Sequence, residues 1–324
     1  KIKKMFPAWK AFNTPAGTSP SNRNCHTGTV QDDKIVFFGG KEGDGRKKLI
    51  NDVNVLDLRS LRWYSEENDN LYIQGKFPEA RMGHSSQLYR NFLVVFGGWN
   101  GSYVLNDIHL LNVETCPSEM YWTQPEVVGK GPKRQFHTAD IIGDTMYVFG
   151  GGDGKHWLHE VYTLQFPKFK WDYVSTAGTP PAGRLQHTSV VFEHNLYIFG
   201  GEPDRHRQLN DLHILDTQTL TWSQPEVSGT SPSPRVSTTG CLVGQIIYIF
   251  GGYDGSRWLD DVFIFDCSVN IWVRLDSGQT ELAPSTRCRH TANIYEGIMY
   301  IFGGNDSDKS FNDLYALQTL HYSR

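Results

Sequence analysis

The sequence predicts an all-β protein built as a six-bladed propeller, in which every blade is a four-stranded antiparallel sheet. Three observations lead to this fold class. A Phe-Gly-Gly triplet closes an apolar run six times, successive triplets lie 50 to 58 residues apart, and the same polar and aromatic markers accompany each triplet in one order. A period of this size is typical of repeats that stack or close into a ring.

The glycine pairs are the most regular of these markers. Glycine adopts positive φ without strain and lets a second backbone approach closely. We therefore interpret the pairs as structural positions at strand ends. The six triplets begin at Phe38, Phe96, Phe149, Phe199, Phe250 and Phe302.

An Arg-x-x-His element precedes each apolar run in five copies. The fifth copy departs from the pattern, because Arg235 is followed by Thr238 at the histidine position. Two interpretations of the arginines remain open: they brace loops through carbonyls or acids, or they face a ligand. The five complete elements begin at Arg23, Arg81, Arg134, Arg184 and Arg287.

A polar pair with an acidic second residue follows each glycine pair, and a tryptophan follows the acid in five copies. We interpret each acid as an acceptor for loop backbone N–H groups, and each tryptophan as packing between neighbouring blades. The acids are Asp52, Asp107, Glu160, Asp211, Asp261 and Asp313, and the tryptophans are Trp63, Trp122, Trp171, Trp222 and Trp272.

Each repeat reads as four short strands, a to d, separated by turn signals, which is the pattern of an antiparallel meander. The sixth repeat lacks its tryptophan, whereas Trp9 lies ahead of the first repeat in the phase of the others. We therefore predict that the strand around Trp9 is the outer strand of the last blade and closes the ring.

These phased markers resemble the kelch repeat, and the resemblance covers essentially the whole chain. It implies a six-bladed kelch-type propeller, and it implies an adaptor, since kelch-like proteins serve as substrate adaptors in ubiquitination or as trafficking and cytoskeletal scaffolds. We predict a single domain, residues 1–324, with repeats at 23–75, 81–128, 134–178, 184–229, 235–280 and 287–324 plus 1–20.

Composition narrows the function class. The chain has 31 Lys and Arg against 35 Asp and Glu, a net charge of −4, which disfavours nucleic-acid binding. No apolar run is long enough to span a membrane, and no signal-peptide core follows Lys1. Five scattered cysteines fit a reducing compartment. We expect a monomeric propeller in the cytoplasm or nucleus, although two Asn-x-Ser triplets leave secretion as an alternative.

The strand order places the d-to-a and b-to-c loops on one side of the ring, which we call the loop face. The loops after the glycine pairs carry nine basic and eight acidic residues, and the Arg-x-x-His elements add seven arginines, including Arg289, and no acid. This count predicts a basic face that attracts a partner with negative charge.

Aromatic and basic residues in these loops are the candidate binding site. Trp, Tyr and Arg combine apolar area with a hydrogen-bonding end and dominate binding hot spots. The alternative is that the rings pack on their own loops. The candidates are Trp99, Tyr103, Lys155, His156, Trp157, Arg205, Arg207, Tyr253, Arg257, Trp258 and Arg289.

We therefore predict a non-catalytic module that binds a short acidic or C-terminal peptide segment of a partner protein, with no cofactor and no metal. The alternative is a kelch-like enzyme, such as a metal-dependent lyase, an oxidase or a sugar isomerase, that acts on a small molecule in the central channel. The sequence contains no catalytic motif in its proper context. Histidines one blade apart seldom converge on a metal ion.

Overall fold

The structure, a computed structural model, describes residues 8–12, 19–43, 48–66, 71–275 and 282–319. These residues form strands and connecting loops, with no α-helix among them. The described residues therefore contain no helix that is long and apolar enough to cross a membrane.

The strands, in chain order, begin with β1 (Trp9–Phe12), β2 (Arg23–Asn24), β3 (Thr27–Gln31), β4 (Lys34–Glu42), β5 (Lys48–Asp57), β6 (Arg62–Ser65), β7 (Ile73–Gly75), β8 (Ser85–Tyr89), β9 (Phe92–Phe96), β10 (Ile108–Thr115), β11 (Glu119–Thr123), β12 (Thr138–Ile142), β13 (Thr145–Phe149) and β14 (Val161–Gln165). They continue with β15 (Lys170–Val174), β16 (Ala177–Gly178), β17 (Thr188–Phe192), β18 (Asn195–Phe199), β19 (Leu212–Asp216), β20 (Thr221–Ser223), β21 (Ser228–Gly229), β22 (Thr239–Val243), β23 (Ile246–Tyr253), β24 (Trp258–Asp266), β25 (Ile271–Leu275), β26 (Thr291–Tyr295), β27 (Ile298–Phe302) and β28 (Leu314–Gln318).

These strands assemble into six small sheets, which we number as blades 1 to 6 along the chain. Strands a to d of the first five blades are β3–β6, β8–β11, β12–β15, β17–β20 and β22–β25. Each inner strand a contacts the inner strands of both neighbouring blades, from β3 round to β26 and back to β3. The predicted six-bladed propeller is confirmed.

One aromatic contact recurs at every boundary between blades. The phenylalanine of each Phe-Gly-Gly triplet packs on the d-strand tryptophan of the following blade, with ring centroids 4.9 to 5.3 Å apart. Around it, apolar side chains of two adjacent blades form a shared core. The prediction that the tryptophans pack between blades is confirmed.

Blade 6 is closed by the first described strand. Strand β1 pairs antiparallel with β28, with Trp9 opposite Leu317, and Trp9 is 4% exposed beside Phe250 of blade 5. The predicted closure is confirmed. Parts of the predicted end segments, residues 1–7, 13–18 and 320–324, lie outside the described residues.

Four blades carry a fifth strand that the sequence did not predict. In blade 1 this strand is β2, which pairs antiparallel with β4. Strands β7, β16 and β21 leave one blade and pair in parallel with the outer strand of the next. Glycine permits this close approach: a Cβ on Gly178 would lie 2.1 Å from the carbonyl oxygen of Trp222.

Replacing Trp9 with alanine should lower the free energy of unfolding by about 3 to 5 kcal/mol, because it empties a buried aromatic site at the closing seam. Urea unfolding followed by tryptophan fluorescence measures the change. As a control, Lys10→Ala on the exposed face of β1 should change stability by less than about 0.5 kcal/mol. Equal effects of the two substitutions would contradict the role of Trp9 in closure.

Candidate functional site

Each pair of neighbouring blades is joined through a glycine pair. The amide of the second glycine donates to the carbonyl of the arginine that begins the next blade, at 2.8 to 2.9 Å in all six joints. In blade 2, a Cβ on Gly98 would lie 2.9 Å from the Cβ of His84. The interpretation of these glycines as positions of close backbone approach is confirmed.

The repeated arginines are buried and paired with the acids of the polar pairs. In blade 2, the Arg81 guanidinium donates to both carboxylate oxygens of Asp107, at 2.7 and 2.8 Å, and to the Gly97 carbonyl at 3.0 Å. Blades 1, 4, 5 and 6 repeat this two-point contact. In blade 3, Arg134 donates to Glu160 at 3.2 Å.

This pairing corrects two expectations. The acids accept from arginine side chains, and not from loop amides as the sequence suggested. Six of the seven arginines counted toward a basic loop face are neutralised inside their blades, so that estimate of positive charge is wrong in its largest part. Burial favours a neutral carboxyl, yet the hydrogen bonds from Arg81 and His109 hold the pKa of Asp107 well below its usual range.

The five histidines of the Arg-x-x-His elements also lie between blades. His84 Nε2 is 3.0 Å from Thr27 Oγ1 of blade 1, and its ring meets Phe38 edge-on. Burial lowers the pKa of His84 to about 3, so the imidazole is neutral at physiological pH. Among the described residues, no three His, Cys, Asp or Glu side chains are grouped so that they could hold a metal ion.

A closed circuit of six peptide groups encircles the channel on the loop face. Each N–H donates to the carbonyl of the corresponding residue one blade earlier, at 2.7 to 3.3 Å, and all six residues have φ between 52° and 63°. We call this circuit the mouth ring. Its members are the residues two positions after each repeated arginine: Cys25, Gly83, Phe136, Gln186, Ser237 and Arg289.

A cavity of about 740 Å³, the mouth cavity, opens above the mouth ring. Leu49, Met82, Trp99 and Phe136 supply apolar lining from blades 1 to 3. The remaining wall is polar and comes mainly from the blade 6 loop, residues 305–310, with Arg289 at its base.

Arg289 is the unpaired cation of the mouth ring. Its side chain reaches solvent and, within the described part of the chain, forms no ion pair with a carboxylate, unlike Arg287 two residues earlier. Lys41 and Lys309 add positive charge to the cavity wall, and Asp306 and Asp308 add negative charge.

A hydrogen-bonded chain runs beside Arg289 on blades 4 and 5. The Ser237 hydroxyl donates to Gln186 Oε1, and Gln186 Nε2 donates to Glu202 Oε1 at 3.0 Å. Burial raises the pKa of Glu202, whereas the Arg289 charge lowers it. This side of the ring is therefore polar and already satisfied internally.

The loops after the glycine pairs of blades 2 to 6 share one turn. An Asn or Asp side chain accepts backbone N–H groups two or three residues later; the turn is centred on Asn100, Asp153, Asp204, Asp254 and Asp306. The basic residues of three loops, His156, Arg207 and Arg257, contact the acid of their own loop. Their charges are therefore partly balanced locally.

The structure brings two of the eleven candidate residues, Trp99 and Arg289, to the mouth cavity. Trp157 and Trp258 are half-buried, and Tyr253 packs against Trp258 with centroids 4.8 Å apart. The other candidates are exposed on the same face beyond the cavity wall: Tyr103, Lys155, His156, Arg205, Arg207 and Arg257.

Sequence reasoning missed most of the cavity wall, including Met82, Phe136 and Gln186. The sequence nevertheless contains a pattern that points to part of this wall. The position two residues after each repeated arginine holds a different amino acid in every copy, while the flanking arginine recurs. Only Arg289 was selected from this set.

The blade joints and the buried pairs define a kelch-type propeller. The sequence matches the KLHDC2/KLHL20/DRC7 Kelch-repeats domain over residues 7–135, 67–197, 116–281 and 187–323, and the chain belongs to this family. The resemblance to the kelch repeat is confirmed.

Several curated proteins are similar to this chain. Acyl-CoA-binding domain-containing protein 4 of Arabidopsis thaliana is 28% identical over 98% of this chain and 48% of its own length. Kelch domain-containing protein 3 of Homo sapiens is 30% identical over 77% of this chain and 66% of its own length. The chain thus spans about half to two thirds of these relatives. The solved structure of YjhT shows the same fold, with a TM-score of 0.71 at 16% identity over 93% of this chain and 99% of that one.

Substitution of two arginines of the loop face should change the stability of the protein by very different amounts. Arg184→Met removes the guanidinium from the Asp211 carboxylate, which keeps only the contact with His213 Nε2 at 2.9 Å, and should lower the free energy of unfolding by about 3 kcal/mol. Arg289→Met should change it by less than about 0.5 kcal/mol. Thermal and urea unfolding of both variants provide the comparison. A large destabilisation by Arg289→Met would assign that residue a structural role.

Asp140 on inner strand β12 should make stability depend on pH. Its buried carboxylate accepts from Ser189 Oγ of blade 4 at 2.5 Å, and burial raises its pKa to about 6. The protonated Asp140 carboxyl contributes fully to the free energy of unfolding below about pH 4, and this contribution is lost as the pH rises through 6. Asp140→Asn should therefore stabilise the protein by about 3 kcal/mol at pH 7.5 and leave it nearly unchanged at pH 4. The same gain in urea unfolding at both pH values would refute this linkage.

Proposed function

We propose that this chain is a non-catalytic protein-interaction module whose mouth cavity binds the free C-terminal segment of a partner protein. The observation that supports this most directly is the exposed guanidinium of Arg289, without a described carboxylate partner, at the base of a cavity of about 740 Å³. Cavities of about 300 to 1,000 Å³ lined by apolar groups and a few polar ones are typical of ligand sites.

Charge distinguishes the two ligands that the sequence suggested, an acidic segment and a free C-terminus. A run of acids needs several available cations. In the cavity wall, Asp306 and Asp308 offset the charges of Lys41 and Lys309, which leaves Arg289 as the cation in excess. Arg207 and Arg257 on the rim contact acids of their own loops. One terminal carboxylate matches one available guanidinium, and such a charge-assisted pair is stronger than a neutral hydrogen bond. We therefore favour the C-terminus.

The alternative, an enzyme in the channel, requires catalytic groups that converge there. The channel histidines instead bond to hydroxyl groups of the preceding blade, as His137 does with Ser85 at 3.0 Å and His187 with Thr138 at 3.0 Å. These rings are neutral and are held between blades through Nε2, which favours a structural role.

The wider role follows by analogy with the relatives. Kelch propeller relatives such as kelch domain-containing protein 3 and host cell factor 2, which is 32% identical over 71% of this chain, suggest a protein-interaction scaffold. Within that role we propose an adaptor such as a ubiquitin-ligase substrate receptor, acting as a monomeric propeller inside the cell. We also propose that the whole chain is a single domain with the repeat boundaries given above.

Binding should depend on both the terminal carboxylate and Arg289. A C-terminal peptide library presented with free carboxylates should yield ligands, and amidation of a selected peptide should weaken binding at least tenfold, because the charge-assisted bond is lost. Arg289→Gln should weaken the free-acid peptide to the same extent and the amide little. Fluorescence anisotropy measures both.

Arg62→Gln is the matched control, since Arg62 is exposed on outer strand β6, away from the mouth cavity. It should bind as the wild type does. Equal affinity for the acid and the amide, or no effect of Arg289→Gln, would refute the proposed function.

A further inference from the structure

The mouth ring places side chains where the backbone favours glycine. All six residues have φ between 52° and 63°, the left-handed region in which a side chain is strained. Glycine avoids that strain, yet only blade 2 has it, at Gly83. Five copies nevertheless place a side chain at the mouth, each in the same fixed backbone conformation.

Gly83 and Phe136 form a matched pair within this ring. A Cβ on Gly83 would lie 3.0 Å from both Cδ1 and Cε1 of the Phe136 ring, so the aromatic ring lies directly over the glycine. Phe136 is half-buried at φ 53° and lines the mouth cavity. Bulky residues seldom adopt this conformation. Because Gly83 of blade 2 has no side chain, the aromatic ring of Phe136 in blade 3 can lie above it.

Met82 and Trp99 extend this surface. They form a backbone bridge to each other within blade 2, and both line the mouth cavity together with Phe136. We call Met82, Gly83, Trp99 and Phe136 the apolar shelf. Phe136 belongs to blade 3, which stands opposite blade 6 in a ring of six, so this end of the shelf faces Arg289 across the mouth.

We propose that the apolar shelf selects a large apolar side chain in the last residue of the bound peptide, while Arg289 holds its carboxylate. The inference rests on the proposed function and adds the class of terminal residue to it. The carboxylate and the side chain of one residue leave the same Cα, so they can reach opposite walls of a single mouth. The polar side of the ring offers no comparable apolar surface, because Gln186 and Ser237 bond to each other there.

The test uses the whole chain and synthetic hexapeptides of glycine and serine that differ only in the last residue. Leucine, phenylalanine, glycine, serine and lysine are compared, each as free acid and as amide, by fluorescence anisotropy. Leucine and phenylalanine acids should bind at least tenfold tighter than the glycine acid.

Phe136→Gly removes the ring and also relieves the backbone strain, so the fold should be retained, as the melting temperature reports. This variant should reduce the preference for leucine over glycine to about twofold or less. Gly83→Ala, which pushes a methyl group against the ring, should reduce the same preference. Ser237→Gly, a left-handed position on the polar side, is the matched control and should keep it.

The outcomes separate the two proposals. If none of the peptides binds, or if acids and amides bind equally, the proposed function fails and this inference fails with it. If binding requires the carboxylate but is equal for all last residues, the inference alone is overturned. A preference for leucine that survives in Phe136→Gly also overturns it.

Discussion

The buried arginine at the start of each blade is the interaction on which the propeller depends. Its guanidinium holds the acid of the b-to-c loop within the blade, and its carbonyl accepts the glycine amide of the preceding blade, as Arg81 does with Asp107 and Gly40. Removing a charged pair from water is costly, and two-point geometry is what makes such a pair favourable. One residue therefore couples loop conformation to blade spacing.

This coupling also separates the scaffold from the site. With the arginine fixed, the residue two positions later is held on the channel rim in one backbone conformation, whatever its side chain. Cysteine, glycine, phenylalanine, glutamine, serine and arginine occupy these six equivalent places. The fold repeats sixfold, while the surface at the mouth does not. An asymmetric ligand can therefore be recognised by a nearly symmetric ring.

The sequence predicts the fold well because the fold is local and repeated. Strand alternation, the Phe-Gly-Gly triplets and the displaced Trp9 each report a contact that recurs in phase, and β1 pairs as predicted. The charge of the loop face was wrong because counting treats every arginine as exposed, whereas the partner of Arg184 lies 27 residues away at Asp211. The mouth cavity was missed because its wall joins residues such as Met82 and Asn305 that come together only when the ring closes.

The short strands β7, β16 and β21 have a consequence beyond local pairing. The outer edge of a propeller blade exposes unpaired N–H and C=O groups, and such an edge is a template on which other chains aggregate. In blades 2, 4 and 5 the connecting segment covers part of this edge, and the bridge between Val128 and Lys170 does so in blade 3. The connections between blades thus also cover part of the outer edge of the propeller, and this limits aggregation through pairing of exposed strands.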